Sequence, residues 1–369
     1  MQKRSSAFRV ISLILSGITS LVFGVLVGVA GIKGGLSIPL IYCALLVSII
    51  IAVFLQTAIH EAGHLCFGLL TGYDFLSYRV GSLVLTKENG KLRLASYYLP
   101  GTLGQCLMGP PADRSKRPYF LYNAGGVIFN ILTSLILLPF ALKAASPFIR
   151  IFLLTVIMYG LIMFFSNAIP TDATGVANDG MNILELKDHP DSIDTFYNML
   201  GMNKLLADGA RPSQLDEGLL DLRQTTLHSG SIGAFNAAQK VGILIDRHDF
   251  EEARMLIDQI FLEKLPLSAN QLLSLRLEKK YLDCLKGVNE PVTDKKLKRF
   301  VEAGRSNSPS IIRYLYARAL LENDREAAQK LQESFMKLEK TYPFKGEYQS
   351  EKELMEVAEQ ILKPTSAAE

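Results

Sequence analysis

The sequence predicts a mainly α-helical, polytopic membrane protein with about four transmembrane helices, a cytoplasmic-side β-hairpin and a C-terminal soluble α-helical domain. Three observations predict it. Long uncharged runs crowd residues 8–170, whereas residues 185–369 are charged, helix-prone and lack any run long enough to span a bilayer. A His-Glu-x-x-His string, His60-Glu61-Ala62-Gly63-His64, falls inside one of the most apolar stretches of the chain. Asn89-Gly90 separates two short alternating segments, a strong two-residue hairpin signal.

The first span is read over about 10–32. Lys3, Arg4 and Arg9 precede an uncharged run that is long enough to cross a hydrocarbon core of about 30 Å, and too long for the apolar region of a cleaved signal peptide. Lys33 and two glycines make a turn into a second span, about 37–72, which carries the HEAGH string. That span exceeds one straight crossing, so its last turns lie in a protein-lined cavity or extend beyond the membrane. Two further spans follow at about 119–142 and 147–169.

Loop charges orient these spans. The 72–118 segment carries Arg79, Lys87, Lys91, Arg93, Arg114, Lys116 and Arg117, while the opposite loops offer only Lys33, Lys143 and Arg150. Both termini, the 72–118 loop and the long C-terminal half are therefore expected on the cytoplasmic side, with HEAGH toward that face. The expected localisation is an integral protein of a bacterial cell membrane. Within the loop, 78–86 and 91–98 read as a hairpin, which either faces solvent or offers a strand edge to an extended ligand.

Two domains are expected: a membrane-embedded domain over 1–189 and a soluble helical domain over 190–369. In the second, periodic apolar residues mark helices at 232–246, 250–262, 270–285, 311–321 and 324–338. Their pairing resembles helix-turn-helix repeats of the tetratricopeptide type, in an irregular, solenoid-like form. Such surfaces usually take protein or peptide partners, although fold analogy alone assigns none. A net charge of +3 on 369 residues gives no indication of nucleic-acid binding. The four cysteines show neither a disulfide framework nor a paired zinc-binding spacing.

The chemistry is concentrated around HEAGH. Positions i and i+4 share a helix face, so His60 and His64 can ligate one zinc ion with Glu61 beside them as a base. Three ionisable groups at the end of an apolar helix are costly unless they act together. Catalytic zinc commonly has three protein ligands and an open position, so a third ligand is needed. Soluble zincin patterns do not supply it: the elongated form would need Gly and His where Phe67 and Leu70 stand, and the first downstream acids are Asp74 and Glu88. The better source is the end of the fourth span, where Asn167 and Pro170 close an apolar helix and Asp179-Gly180 starts a segment that can turn back.

HEAGH, Asn167-x-x-Pro170 and Asp179-Gly180 together resemble the site-2 protease family, the M50 group of intramembrane zinc metalloproteases. The segment 125–130, ending in Asn130, is similar to that family's small-residue-plus-Asn stretch, with Val127 where Pro is usual. The resemblance covers about residues 37–185. It implies that His60, His64 and Asp179 bind Zn2+, that Glu61 is general base and later general acid, and that Asn167 holds substrate or the oxyanion. Eight residues separate Pro170 from Asp179, more than in the compact family pattern, which keeps Asp172 open as the alternative ligand. Asn123 and Asn130, seven residues apart on the third span, are candidate substrate contacts, with interhelical hydrogen bonding as the other use. The implied activity is zinc endopeptidase cleavage of a membrane-embedded or membrane-associated protein or peptide near the cytoplasmic face. The alternative is a catalytically silent membrane adaptor whose helical tail recruits a protein.

Overall fold

The structure is a computed structural model that describes residues 2–88, 91–96, 102–116, 118–171 and 177–362. It forms two compact units, one from residues 1–81 with 102–190, the other from 82–101 with 191–369.

Among the described residues, four helices are long and apolar enough to cross a membrane: α1 (Gln2–Lys33), α2 (Ile38–Leu70), α3 (Tyr119–Lys143) and α4 (Pro147–Ala168). Pro39 and Pro147 stand in the first turns of α2 and α4, where a missing N–H leaves no bond unmade. Large apolar side chains such as Leu21, Leu46, Ile136 and Phe140 are exposed on these helices, a surface suited to lipid. The inward face of α2 is the reverse of a soluble helix: Ser48, Gln56, Thr57, His60, Glu61 and His64 are its buried residues, alongside Ile41, Ala52, Gly63 and Gly68. α2 pairs extensively with α3 and α4, and α1 packs on α4.

α2 rises about 50 Å at 1.5 Å per residue, well beyond one hydrocarbon thickness. It stops at Gly72, whose φ of +87° suits glycine, with Gly72 N–H donating to the Leu69 carbonyl and Tyr73 N–H to that of Gly68. This Schellman closure turns the chain back as β1 (Asp74–Val80). The sequence reading runs one strand over 78–86, but the chain breaks at Gly81, at φ +61°, where its N–H donates to the Leu103 carbonyl. Separate strands β2 (Leu83–Glu88) and β3 (Lys91–Ser96) therefore follow, paired antiparallel with Leu85 opposite Leu94. Asn89 and Gly90, the expected turn, lie outside the described residues. β1 pairs antiparallel with β4 (Gly104–Gly109), placing Tyr78 opposite Cys106.

α5 (Asp179–Asp188) completes the first unit. The remaining chain is helical: α6 (Ser192–Ala207), α7 (Gln224–Leu227), α8 (Ser231–Asp246), α9 (Phe250–Glu263), α10 (Ala269–Leu285), α11 (Lys295–Gly304), α12 (Pro309–Leu321), α13 (Arg325–Leu338) and α14 (Lys345–Leu362). The turns between α8 and α9 and between α12 and α13 use His248 and Asn323 in left-handed conformations. α8, α9, α10, α12 and α14 share a core that includes Val241, Ile257, Tyr281, Tyr314 and Leu354. Arg313, 1% exposed, lies within this helical part, paired with Glu278 and Glu351 and stacked over the Tyr281 ring at 3.9 Å.

Candidate metal centre

His60, Glu61 and His64 occupy the last three turns of α2, each less than 10% exposed. They are buried because α3 approaches α2 with almost no side chain between them. A Cβ on Gly63 would overlap the Gly125 carbonyl, and one on Gly126 would come within 2.5 Å of the His60 ring. The glycines thus allow one helix to serve as the floor beneath the other's imidazoles.

Asp179 is brought to them at the start of α5, which Asn178 ties to the end of α4 and to Thr171. Asn178 caps α5, its Oδ1 accepting from Met181 N–H at 2.9 Å and from Thr171 N–H at 3.0 Å. Its Nδ2 donates to the carbonyls of Ser166 at 2.6 Å and Ile169 at 2.7 Å, and its own N–H to the Thr171 carbonyl at 3.0 Å. Residues 171 and 178 are therefore side by side, and the intervening length does not carry Asp179 away. A Cβ on Gly180 would overlap the Ala168 carbonyl, so the start of α5 sits directly on the end of α4.

The result is a triangle of ligand atoms. His60 Nε2 and His64 Nε2 are 3.2 Å apart, and Asp179 Oδ2 is 3.2 Å from the first and 3.4 Å from the second. Donors held about 2.0–2.1 Å from a tetrahedral zinc ion are about 3.3 Å from one another. The hydrogen positions agree with that fit. His64 Nδ1 faces the Tyr122 carbonyl at 2.8 Å, which can only accept, so the ring hydrogen is on Nδ1. His60 Nδ1 faces Asn130 Oδ1 at 2.7 Å, while Asn130 Nδ2 donates to the Gln56 carbonyl at 3.1 Å and to Gln56 Oε1 at 2.8 Å. Both Nε2 atoms thus direct lone pairs at a carboxylate oxygen that is buried and without a hydrogen-bond donor. A proton on one ring would relieve one edge of the triangle; a divalent cation relieves all three. Burial disfavours charge on Asp179, and only positive charge beside it, such as protons on the facing imidazoles, outweighs burial and holds the carboxyl below the usual carboxylate range.

Glu61 is held from the side of β4. A Cβ on Gly104 would overlap the Glu61 Oε1, so the carboxylate lies directly against this strand. β4 is fixed by Tyr122, whose hydroxyl donates to the Cys106 carbonyl at 3.2 Å, and by Arg79, which donates to the Thr102 and Gly104 carbonyls at 3.3 Å each. β1 is fixed to α2 by Tyr78, whose hydroxyl donates to the Ala58 carbonyl at 2.5 Å. Burial and the neighbouring Glu61 push the Cys106 thiol up, so it adds no thiolate to the site.

Not every expected residue faces this triangle. Asn167, half-buried on the last turn of α4, donates to the Met163 carbonyl of its own helix at 3.0 Å. Asn123 is buried and donates to the Tyr119 carbonyl at 2.8 Å. Asn130 is fully buried, with both sides of its amide bonded to protein. Asp172 lies outside the described residues. Three contributors went unread in the sequence: Tyr122, Asn178 and Gln56. Asn178 has a local signal, an N-cap residue directly before Asp-Gly. Tyr122 acts toward His64 through a backbone carbonyl, for which side-chain identity gives no signal.

Compared with protein-family models, curated proteins and solved structures, the chain matches none.

Proposed function

We propose that the chain is an intramembrane zinc endopeptidase of the site-2 protease type, which cuts a membrane-embedded or membrane-associated protein or peptide near the cytoplasmic face. The observation that carries this reading is the triangle His60, His64 and Asp179, its edges matched to tetrahedral zinc, with a buried carboxylate, Glu61, one residue from the first ligand. Two nitrogens and one oxygen would give a zinc ion three protein ligands, the number common in catalytic sites. Zinc bound there supplies Lewis-acid polarisation of a scissile carbonyl and lowers the pKa of a water at the site toward about 7.

The chain's own residues supply the rest. Glu61 takes a proton from that water and later delivers it to the leaving amine, while the close approach of Gly104 limits how far its carboxylate can swing. Asn167 is assigned to the substrate or the oxyanion, a role for which its amide must exchange the Met163 carbonyl for that partner. Asn123 remains a candidate substrate contact. Asn130 is assigned to His60, because its amide has no free side. Asp179 rather than Asp172 is taken as third ligand on its distances.

In this reading residues 1–189 are the protease domain, and the basic 72–118 loop places both termini and the metal end of α2 toward the cytoplasm. A substrate helix must unwind locally to expose its backbone there. The tail from residue 190, solenoid-like in its helix pairs, is assigned to partner or substrate recruitment. A silent adaptor would keep such a tail, but it would have no use for three converging ligand atoms and an adjacent carboxylate.

The test is Glu61→Gln. Cleavage, followed by comparing membrane and medium proteomes of cells carrying either form, should fall by about 10²–10⁴-fold, with zinc content of the purified protein unchanged. Turnover retained by the zinc-loaded variant would reject the mechanism.

A further inference from the structure

One polar side chain buried in the membrane half is not accounted for by the ligand set. Gln56 lies one turn before His60 on α2 and is 0% exposed, within a helix whose other faces are apolar. An amide in such surroundings is costly unless every polar atom is bonded. Its Nε2 donates to the Val156 carbonyl on α4 at 3.1 Å, and its Oε1 accepts from Asn130 Nδ2 at 2.8 Å. Room for the amide against α4 comes from Gly160, where a Cβ would lie 2.7 Å from Gln56 Nε2.

The direction of these bonds matters more than their number. An amide donates on one side and accepts on the other, so a chain of amides carries a polarity from one end to the other. The fixed end is the Val156 carbonyl, which can only accept. It forces Gln56 to present Nε2 to α4 and Oε1 to Asn130. Asn130 must then present Nδ2 to Gln56, where it donates to Oε1 at 2.8 Å and to the backbone carbonyl of the same residue at 3.1 Å, which leaves its Oδ1 for His60 Nδ1 at 2.7 Å. With Asn130 turned over, an NH2 group would face Nδ1, the ring hydrogen would move to Nε2, and the lone pair directed at Asp179 and His64 would be lost.

We propose that Gln56 is a positioning residue of the metal centre: its side chain, anchored on the Val156 carbonyl, acts with its own backbone carbonyl to hold the orientation of the Asn130 amide and so keeps the His60 Nε2 lone pair available to the metal. The inference rests on the metal-centre reading above and goes beyond its ligand set.

The experiment measures Zn2+ affinity of the full chain in detergent micelles by competition with a chromogenic chelator. Gln56→Met, close in size and without an amide, should weaken zinc binding by about tenfold, the low end of what outer-shell partners contribute. Gln56→Glu should remain within about threefold of wild type, because a protonated carboxyl, the form such burial favours, offers a carbonyl to Asn130 and an O–H to Val156. In an Asn130→Leu background the relay is already cut, and Gln56→Met should weaken binding no further. Gly160→Ala, which pushes on the Gln56 amide without replacing it, should also lower affinity and guards against a Met variant that fails to fold.

Equal affinities for wild type, Gln56→Met and Gly160→Ala would overturn the proposal while leaving the metal centre standing. Losses that multiply in the double variant would also overturn it, assigning Gln56 to packing alone. A wild-type chain that binds zinc no better than His60→Ala would instead reject the metal centre, and the relay with it.

Discussion

Asn178→Ala should open the metal site without touching any ligand. The substitution removes four side-chain hydrogen bonds: two that Oδ1 accepts from Thr171 and Met181, and two that Nδ2 donates to Ser166 and Ile169. Loss of an N-cap costs about 1 kcal/mol, and each of the three further bonds about 0.5–1.5 kcal/mol, so docking of α5 should weaken by about 2.5–5.5 kcal/mol. Asp179 is the first residue of α5 and ligates only when that helix is docked. At about 1.4 kcal/mol per factor of ten, zinc affinity should fall by about 60-fold to several thousandfold as an upper range. Chelator competition on the purified full chain measures this directly, with Asp179→Ala as the reference for complete loss of the carboxylate. Asn178→Asp keeps the accepting oxygen but loses the donors to Ser166 and Ile169, so its affinity should lie between wild type and Asn178→Ala. If Asn178→Ala bound zinc as wild type does while Asp179→Ala lost it, the Asn178 bonds would have no part in presenting Asp179, and the account of how the third ligand arrives would be wrong.

Other positions give sharper separations. Gly126→Ala places a methyl within 2.5 Å of the His60 ring; overpacking of about 1–3 kcal/mol should appear as weaker zinc binding by roughly five- to a hundredfold, read in the same assay. Gly104→Ala overlaps Glu61 Oε1 and lies 2.6 Å from Thr57 Cγ2, away from the ligands; proteolysis should drop by about tenfold or more at unchanged zinc content, and a parallel loss of metal would show that β4 supports the ligands instead. In the helical tail, burial pushes the carboxyls of Glu347 and Glu351 up, while Arg313 pulls the second back down. Carboxyls raised in the folded state keep protons that the unfolded chain releases above the ordinary value of 4.5, so stability is greatest below that pH and falls as pH rises through neutrality. Hydrogen exchange in α14, corrected for its intrinsic rate, should show this decline, and Glu347→Gln should flatten it; a stability that rose with pH would reverse the assignment.

Much of the architecture follows from repeats that sequence carries openly. The four spans are visible because lipid demands long uncharged runs, and the helices at 231–246, 250–263, 269–285, 309–321 and 325–338 because one face of each must be apolar. Four other tail helices, α6, α7, α11 and α14, were not read. α7 is a single turn, whereas α11 and α14 place buried apolar residues at helical spacing, Leu297 and Val301 in the first and Tyr348, Leu354, Met355 and Ala358 in the second, a pattern the sequence does carry. The strands were harder again. β4, Gly-Gln-Cys-Leu-Met-Gly, has no β-branched residue, and its partner β1 lies some thirty positions earlier, so nothing local announces the pair that brings Cys106 to Glu61.

The metal site divides in the same way. By itself the sequence determined that His60 and His64 share a helix face with Glu61 beside them, because the helical repeat fixes that over five residues. It also determined that such a group belongs in an apolar setting, and that an Asp-Gly after a helix-breaking proline was the candidate third ligand. Tertiary structure alone decided that Asp179 arrives within 3.2 Å of His60, because that depends on Asn178 closing a loop whose length, read as a string, pointed away from the site. It alone decided the tautomers too. Which ring nitrogen keeps its hydrogen is set by a carbonyl of α3 and by an amide relay ending on α4, and hydrogen-bond direction between helices has no counterpart in the spacing of residues along one of them.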